Sequence, residues 1–190
     1  ALGLARMKDG NYAGAVDALR LCLEGNPDHA GAQMHLGILL ENAGDIASAK
    51  ERYVAAAPFA DSEEPFLRLG RIAFREKDYA AAIRYLGGAV RRGLRDPRVL
   101  ANLAGAHMEL GRHETAAEIY EILLTVDPSN AAAHNDIGVV YAKRKQFARA
   151  LAKFRRAVEL DPANADAYHN ISKTLEAVSP GAVAGAVPAA

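Results

Sequence analysis

The sequence predicts an all-α chain built as an array of antiparallel helix pairs, and three observations predict it. A small residue recurs at Gly3, Gly37, Gly70, Ala104, Gly138 and Ser172, at successive spacings of 34, 33, 34, 34 and 34 residues. Each follows an apolar residue: Leu2, Leu36, Leu69, Leu103, Ile137 and Ile171. A second pattern, alanine and then an aromatic or aliphatic residue four positions on, keeps the same register as Ala15/Leu19, Ala49/Tyr53, Ala82/Leu86, Ala116/Tyr120 and Ala150/Phe154. A fixed period of this length marks a repeat array, in which each unit buries its apolar face against its neighbours. Apolar residues make up 51% of the chain and aromatics only 6%, which suits helices packed closely through alanine.

The stretch from Asn130 to Pro162 shows one unit in full: two amphipathic helices joined by a short turn and stopped by proline. Gly138 and Ala150 carry no bulk that would hold the two helices apart, and Tyr141 and Phe154 fill the space around that approach. These residues resemble the tetratricopeptide repeat (TPR), whose motif runs W-x2-L-G-x2-Y, then A-x3-F, then P over about 34 residues. His134 stands where the motif has its leading Trp. The resemblance implies a TPR solenoid of antiparallel helix pairs forming a right-handed superhelix. It also implies that the first helix of each pair lines a concave face where extended peptides or partner helices bind.

In chain order, Ala1 to Lys8 reads as the end of a first helix and Gly10-Asn11 as its turn, so the chain is expected to be an excerpt of a longer protein. Its paired helix runs from Tyr12 to Glu24 and stops at Asn26-Pro27. Repeat two starts near His29 and turns at Gly44-Asp45, where Asp45 is placed to cap the helix through Ala57. Pro58 ends that helix, because its ring and missing N–H cannot continue it. Repeat three starts near Glu63, turns at Lys77-Asp78 and ends near Arg92. The connector Gly93-Leu94-Arg95-Asp96-Pro97 departs from the motif's proline position. Pro97 opens repeat four, a position that suits proline; the repeat turns at Gly111-Arg112 and closes at Asp127-Pro128. Repeat five and a closing helix over 164–177 follow, with Tyr168 at the Trp position and polar Asp166, Lys173 and Glu176 suited to an outer face. The array of about five repeats, the first truncated, thus covers 1–177, and the uncharged Ala/Gly/Pro segment 178–190 reads as a flexible tail.

Lys and Arg number 23 and Asp and Glu 23, so no net charge draws the chain to nucleic acid or an anionic membrane. The single cysteine, Cys22, excludes an internal disulfide framework; at the position of Ala56, Ala89 and Ala157 it reads as a buried small hydrophobe. No run approaches the roughly 20 apolar residues needed to span a bilayer. Zinc-binding, phosphate-loop and nucleophile-elbow motifs are absent, and no two His residues stand four apart. The reading is therefore of a non-enzyme with no catalytic residue, no metal and no cofactor.

Carried over residue by residue, the resemblance assigns to the concave face Met34, Ile38 and Glu41 of repeat two, then Arg68, Arg71, Phe74 and Arg75 of repeat three. Arg98, Asn102 and Met108 follow from repeat four, Asn135, Asp136, Val139 and Lys143 from repeat five, and Asn170 and Lys173 from the closing helix. Arg68, Arg71 and Arg75 share one helical face, and with Arg98 and Asn102 they suit an acidic side chain or a free C-terminal carboxylate, since guanidinium donates to carboxylate in pairs. A competing reading makes them a solvated face in which Glu64 supports Arg68. Asn102, Asp136 and Asn170, spaced by 34, resemble the asparagine ladder with which some TPR arrays hold a partner's backbone. Lys143, Arg144, Lys145, Arg149, Lys153, Arg155 and Arg156 form a basic cluster. Glu114, Glu118 and Glu121 on the preceding second helix are placed to pair with it, which disfavours nucleic acid. The function expected is a protein–protein interaction scaffold or adaptor binding a partner peptide or helix in the groove. The alternatives are a substrate-recruiting arm of a larger enzyme, such as a glycosyltransferase, and a self-associating scaffold.

Overall fold

A computed structural model describes residues 12–178. The expected helix over 1–8, the turn at Gly10-Asn11 and the tail beyond Val178 lie outside the described residues. Those described form ten helices and no strand. The described residues fall into two compact units, 12–94 and 95–178. The division falls within the Gly93–Pro97 connector, where the sequence departs from the motif.

The first unit holds α1 (Tyr12–Gly25), α2 (Ala30–Asn42), α3 (Ile46–Ala56), α4 (Glu64–Arg75) and α5 (Tyr79–Arg91). The second holds α6 (Pro97–Glu109), α7 (His113–Val126), α8 (Ala131–Lys143), α9 (Phe147–Leu160) and α10 (Ala165–Val178). Val178, assigned from sequence to the tail, is the last residue of α10 because the helical ladder continues one residue past Ala177. Within a unit each helix packs on its sequence neighbours: α2 on α3 and α4 on α5 as pairs, with α1 on α2 and α3 on α4 between pairs. In the second unit α6/α7 and α8/α9 are the pairs, and α7/α8 and α9/α10 the contacts between them.

The pairing follows from the recurring small residues. A Cβ added at Gly138 would lie 2.5 Å from the Phe154 ring, and one at Gly37 2.5 Å from the Tyr53 ring. At Gly70 the added atom would collide with Leu86. All ten residues of the alanine-plus-four pattern are buried. Asp45 caps α3 by accepting from the Ser48 N–H at 3.1 Å, and Asp78 caps α5 from Ala81 at 3.0 Å. Asp96 caps α6 and Asn130 caps α8 in the same way. These caps satisfy N–H groups that have no partner inside their helix. Inside each pair the turn needs a left-handed residue. Gly44 and Gly111 supply it with φ of 84° and 70°, whereas Lys77 and Lys145 are forced there at 61° and 59°.

Two further expectations are corrected. Cys22 is exposed; its counterparts Ala56, Ala89 and Ala157 are fully buried, but the first helix of Cys22's own repeat is not among the described residues. Met34 belongs to the core with Ala49, Tyr53 and Leu69, not to an open face, because it points between α2 and the next pair. Asp166, Lys173 and Glu176 are exposed on α10, and apolar residues are exposed beside them. Tyr168 is 51% and Leu175 47% exposed, although their counterparts His134 and Tyr141 are buried under a second helix.

Gly138→Ala is expected to destabilise the fold by roughly 1–3 kcal/mol through overpacking against Phe154. Lys145→Gly is expected to stabilise it by about 0.5 kcal/mol, the relieved left-handed strain being partly offset by glycine's freedom in the unfolded chain. Urea unfolding of the two variants beside the parent checks both, and a neutral Gly138→Ala would refute the close-approach account.

Candidate functional site

The residue two positions before a recurring small residue turns toward the second helix of the preceding repeat where it is Arg68, beside Tyr53, or Asp136, beside Tyr120. In the first unit this residue is Arg68 on α4. Its Nη1 donates to Glu41 Oε2 of α2 at 3.0 Å, and its Nε to Glu64 Oε1 at 2.8 Å. Its guanidinium carbon lies 5.8 Å from the centre of the Tyr53 ring on α3. The Tyr53 hydroxyl donates to the same Glu41 oxygen at 2.6 Å, and Arg75 Nη2 reaches the other Glu41 oxygen at 3.6 Å. Burial pushes the Glu41 carboxyl up, but hydrogen bonds from Tyr53 and Arg68 and the charges of Arg68 and Arg71 outweigh it, leaving Glu41 below the ordinary carboxylate range. Burial, then the bond to Glu41, drives the Tyr53 hydroxyl well above its usual value. The structure thus gathers Arg68, Arg71 and Arg75, as the sequence predicts, around a carboxylate the chain itself supplies. Arg71 and Arg75 remain exposed. Phe74 is half-buried, held edge-on to Tyr79 with ring centres 5.6 Å apart.

The other predicted residues belong to the second unit. Arg98 turns onto the cap of its own helix, its Nη2 2.9 Å from Asp96 Oδ2, and is 90% exposed. Asn102 and Met108 are half-buried on α6. Asn135, Asp136 and Asn170 join one chain of hydrogen bonds. Tyr120 Oη of α7 donates to Asp136 Oδ2 at 3.3 Å, Asn135 Nδ2 to Asp136 Oδ1 at 3.4 Å, and Asn170 Nδ2 of α10 to Asn135 Oδ1 at 2.9 Å. Burial raises the Asp136 carboxyl above its ordinary range; the bonds from Asn135 and Tyr120 pull it down less, and Asp166 adds to the rise. No cation is paired with Asp136 among the described residues.

Beside this chain α8, α9 and α10 enclose a slot of about 290 Å³, lined by Val139, Phe147, Phe154, Lys143, Asn170 and Lys173 among others. Phe147 was not read from the sequence as part of a site. The signal available was the stripe Val139–Lys143 on α8 together with Asn170 and Lys173 on α10, which put both lysines on the same faces as residues already singled out.

Two members of the basic cluster pair with the glutamates of the preceding second helix. Arg144 meets Glu114 at 2.6 Å and Lys153 meets Glu121 at 3.6 Å. Arg149 lies over the Tyr141 ring at 4.3 Å, and the Tyr141 hydroxyl, donating to Glu121 at 2.6 Å, is pushed up to about 12 by burial and by that bond. Among the described residues no group of three or more His, Cys, Asp or Glu is placed to hold a metal, and no helix is long and apolar enough to cross a membrane.

Profiles of the tetratricopeptide repeat match residues 6–69, 67–125 and 106–165. Protein FlbA of Caulobacter vibrioides is 32% identical over 162 residues, which are 84% of this chain and 27% of that protein. Hsp70-Hsp90 organizing protein 2 of Arabidopsis thaliana is 24% identical over 106 residues, 56% of this chain and 19% of that protein. The chain therefore spans well under a third of each of these relatives. Among solved structures, YrrB, described as a TPR protein with an unusual peptide-binding site, superposes with a TM-score of 0.79 at 20% identity, covering 88% of this chain and 87% of YrrB. MamA superposes at 0.73 with 23% identity, over 87% of this chain and 97% of its own. Both likenesses are to TPR solenoids and bear on fold.

A carboxyl raised in the folded state stabilises the fold fully below its unfolded pKa, and that contribution is lost as the pH rises through the folded value. Asp136→Asn keeps partners for Tyr120 and Asn135 and removes the charge. It is expected to melt above the parent at neutral pH, the gap closing toward about pH 4. A variant that melts lower at neutral pH would show the buried carboxylate to be stabilising.

Proposed function

The chain belongs to the tetratricopeptide repeat family, and we propose that it is a protein-interaction module whose first-helix faces receive an acidic partner segment. The observation that carries this reading is the set of three arginines around Glu41. Arg68 is already oriented by Glu41, Glu64 and the Tyr53 ring, while Arg71 and Arg75 beside it stay open to solvent. A partner carboxylate arriving there meets one guanidinium group, that of Arg68, whose ordering has been done in folding, which limits the entropy lost on binding. Asn135 and Asn170, held by one another, are suited to grip a partner's backbone, with Asp136 fixing Asn135 and Asn102 and Met108 as half-buried neighbours on α6. Arg98, turned onto Asp96, contributes charge and less direction.

Glu41 and an acidic ligand compete for the same donors, and that gives a direct test. Glu41→Gln is expected to tighten binding of a capped tetraglutamate peptide by about fivefold and Arg71→Gln to weaken it by about threefold, magnitudes typical of partly exposed charge pairs. Fluorescence titration at low salt measures both, with circular dichroism confirming helicity. Peptide affinity indifferent to both substitutions would make the arginines a structural network only.

A further inference from the structure

The closing helix α10 stands as a first helix among the described residues without a second to cover it. Tyr168, Ile171 and Leu175 lie 34 residues after His134, Ile137 and Tyr141, which are buried beneath α9. On α10 the same stripe is open: Tyr168, Leu175 and Val178 are exposed and Ile171 is half-buried. Residues 179–190 do not carry what would fill it. In the register of the repeat, Gly181, Gly185 and Pro188 stand where α9 has Phe147, Leu151 and Phe154, so no large apolar side chain falls at those positions. A stripe of this kind is satisfied by another helix that presents a matching stripe.

We propose that the occupant is a second copy of this chain, α10 packing antiparallel on α10 about a two-fold axis. The spacing of the stripe suits a self-pair. Residues 168, 171, 175 and 178 are separated by three, four and three, so the stripe reads the same from either end. Turned end for end, it sets Tyr168 against Val178 of the second copy and Ile171 against Leu175, with the alternating three-four spacing of a helix seam. Ser172, at the recurring small position, allows the two backbones to come close.

The charges favour the same orientation. Helices α9 and α10 are joined by a short turn and run antiparallel, so Val178 lies at the start of α9, sharing an open recess of about 480 Å³ with Phe147, Leu151, Lys145 and Arg149. That start carries no acid in its first turn, and the far end carries no base in its last turn and leads into exposed Asp161. Lys145, Arg149 and Asp161 make no ion pair among the described residues, whereas Arg144, Lys153 and Arg156 each have one. A copy turned end for end brings the basic start of each α9 toward the acidic end of the other, twice per dimer, while a parallel copy sets like charge against like. Asn170 and Lys173 project from other sides of α10, so this surface is separate from the first-helix face and does not depend on the acidic-partner reading. The seam is short, one 14-residue helix from each copy, and a Kd on the order of 10–100 µM is expected.

Sedimentation equilibrium of the full chain over about 5–500 µM, a range that spans that Kd, is the test. A reversible monomer–dimer equilibrium is expected. Leu175→Glu is expected to weaken it roughly a hundredfold, because two leucines leave the seam in each dimer. Circular dichroism melting checks that this variant keeps its fold. Lys145→Glu is expected to weaken the dimer about threefold and Lys145→Glu/Asp161→Lys to restore it; both alter exposed side chains, so they decide the matter if Leu175→Glu melts early. A chain that stays monomeric throughout overturns the proposal and leaves the face to a helix of another protein. A dimer that Leu175→Glu does not weaken, or that the double charge reversal does not restore, overturns it as well. Dimers that form only after removal of residues 179–190 do the same, by making that segment the occupant.

Discussion

Everything in both units depends on a contact between a small residue of one helix and a large side chain of its partner. At Gly37 and Gly138 the approach leaves no space for even a methyl group, because the Tyr53 and Phe154 rings occupy it. Burying such a ring against backbone gives dispersion contact over its whole face, of the kind that holds protein interiors at crystal-like density. The alanines at 15, 49, 82, 116 and 150 do the same from the other helix, all fully buried. A helix pair held this way has little freedom to slide, so the residues on its outer faces inherit fixed positions. Functional side chains here are placed by packing two layers beneath them.

The large residue does a second task that depends on one atom. Tyr53 and Tyr120 occupy equivalent positions, and their hydroxyls donate to Glu41 of Tyr53's own repeat, beside Arg68 of the next, in one unit and to Asp136 of the next repeat in the other. Phe154 fills the same position without a hydroxyl, and Asn170, the residue facing it, bonds Asn135 instead. The polar arrangement at each step is therefore set by whether the buried ring carries oxygen. Where the facing residue is arginine, the tyrosine's carboxylate partner gains compensation and is depressed; where it is aspartate, burial dominates and the carboxyl is raised. One scaffold position thus meets opposite electrostatic outcomes according to the residues around it, Glu41 with Arg68 in one unit and Asp136 with Met108 at Glu41's register in the other.

This also explains what was legible in the sequence and what was not. The period of small residues defines the helix pairs, and proline, asparagine and aspartate define their ends, because close approach and capping are local requirements written in residue type. Arg68, Arg71 and Arg75 on one face are legible from spacing alone. Glu41 as their internal partner is not, since it lies 27 residues from Arg68 and its reach depends on side-chain rotamers. Met34 misleads because a residue at a stripe's edge faces outward or into the adjacent pair according to a modest rotation of the helix. The exposure of Tyr168 and Leu175 is illegible for another reason: their counterparts are buried only because a second helix follows, and burial of that kind belongs to the neighbour.

The two units also differ in how their cations are committed, and this bears on what each can recognise. Glu41 is only partly exposed, so its attraction to Arg68 is screened less than that of a fully solvated pair. An incoming carboxylate must share donors with it, and the gain is the difference between two similar interactions. That arrangement favours orientation over affinity. Lys143 and Lys173 have no such competitor among the described residues, but their ammonium groups are fully hydrated and lose water on pairing. Charge alone gives little in either case. An apolar surface within reach changes the balance, because burying one leucine-sized side chain contributes about 1.5–3 kcal/mol that does not depend on salt. Val139 and Phe147, both half-buried, supply some of that surface beside the lysines, while Phe154 belongs to the core and Phe74 near the arginines is already engaged edge-on with Tyr79. Selective affinity is therefore expected to reside where uncommitted charge and uncovered apolar surface coincide.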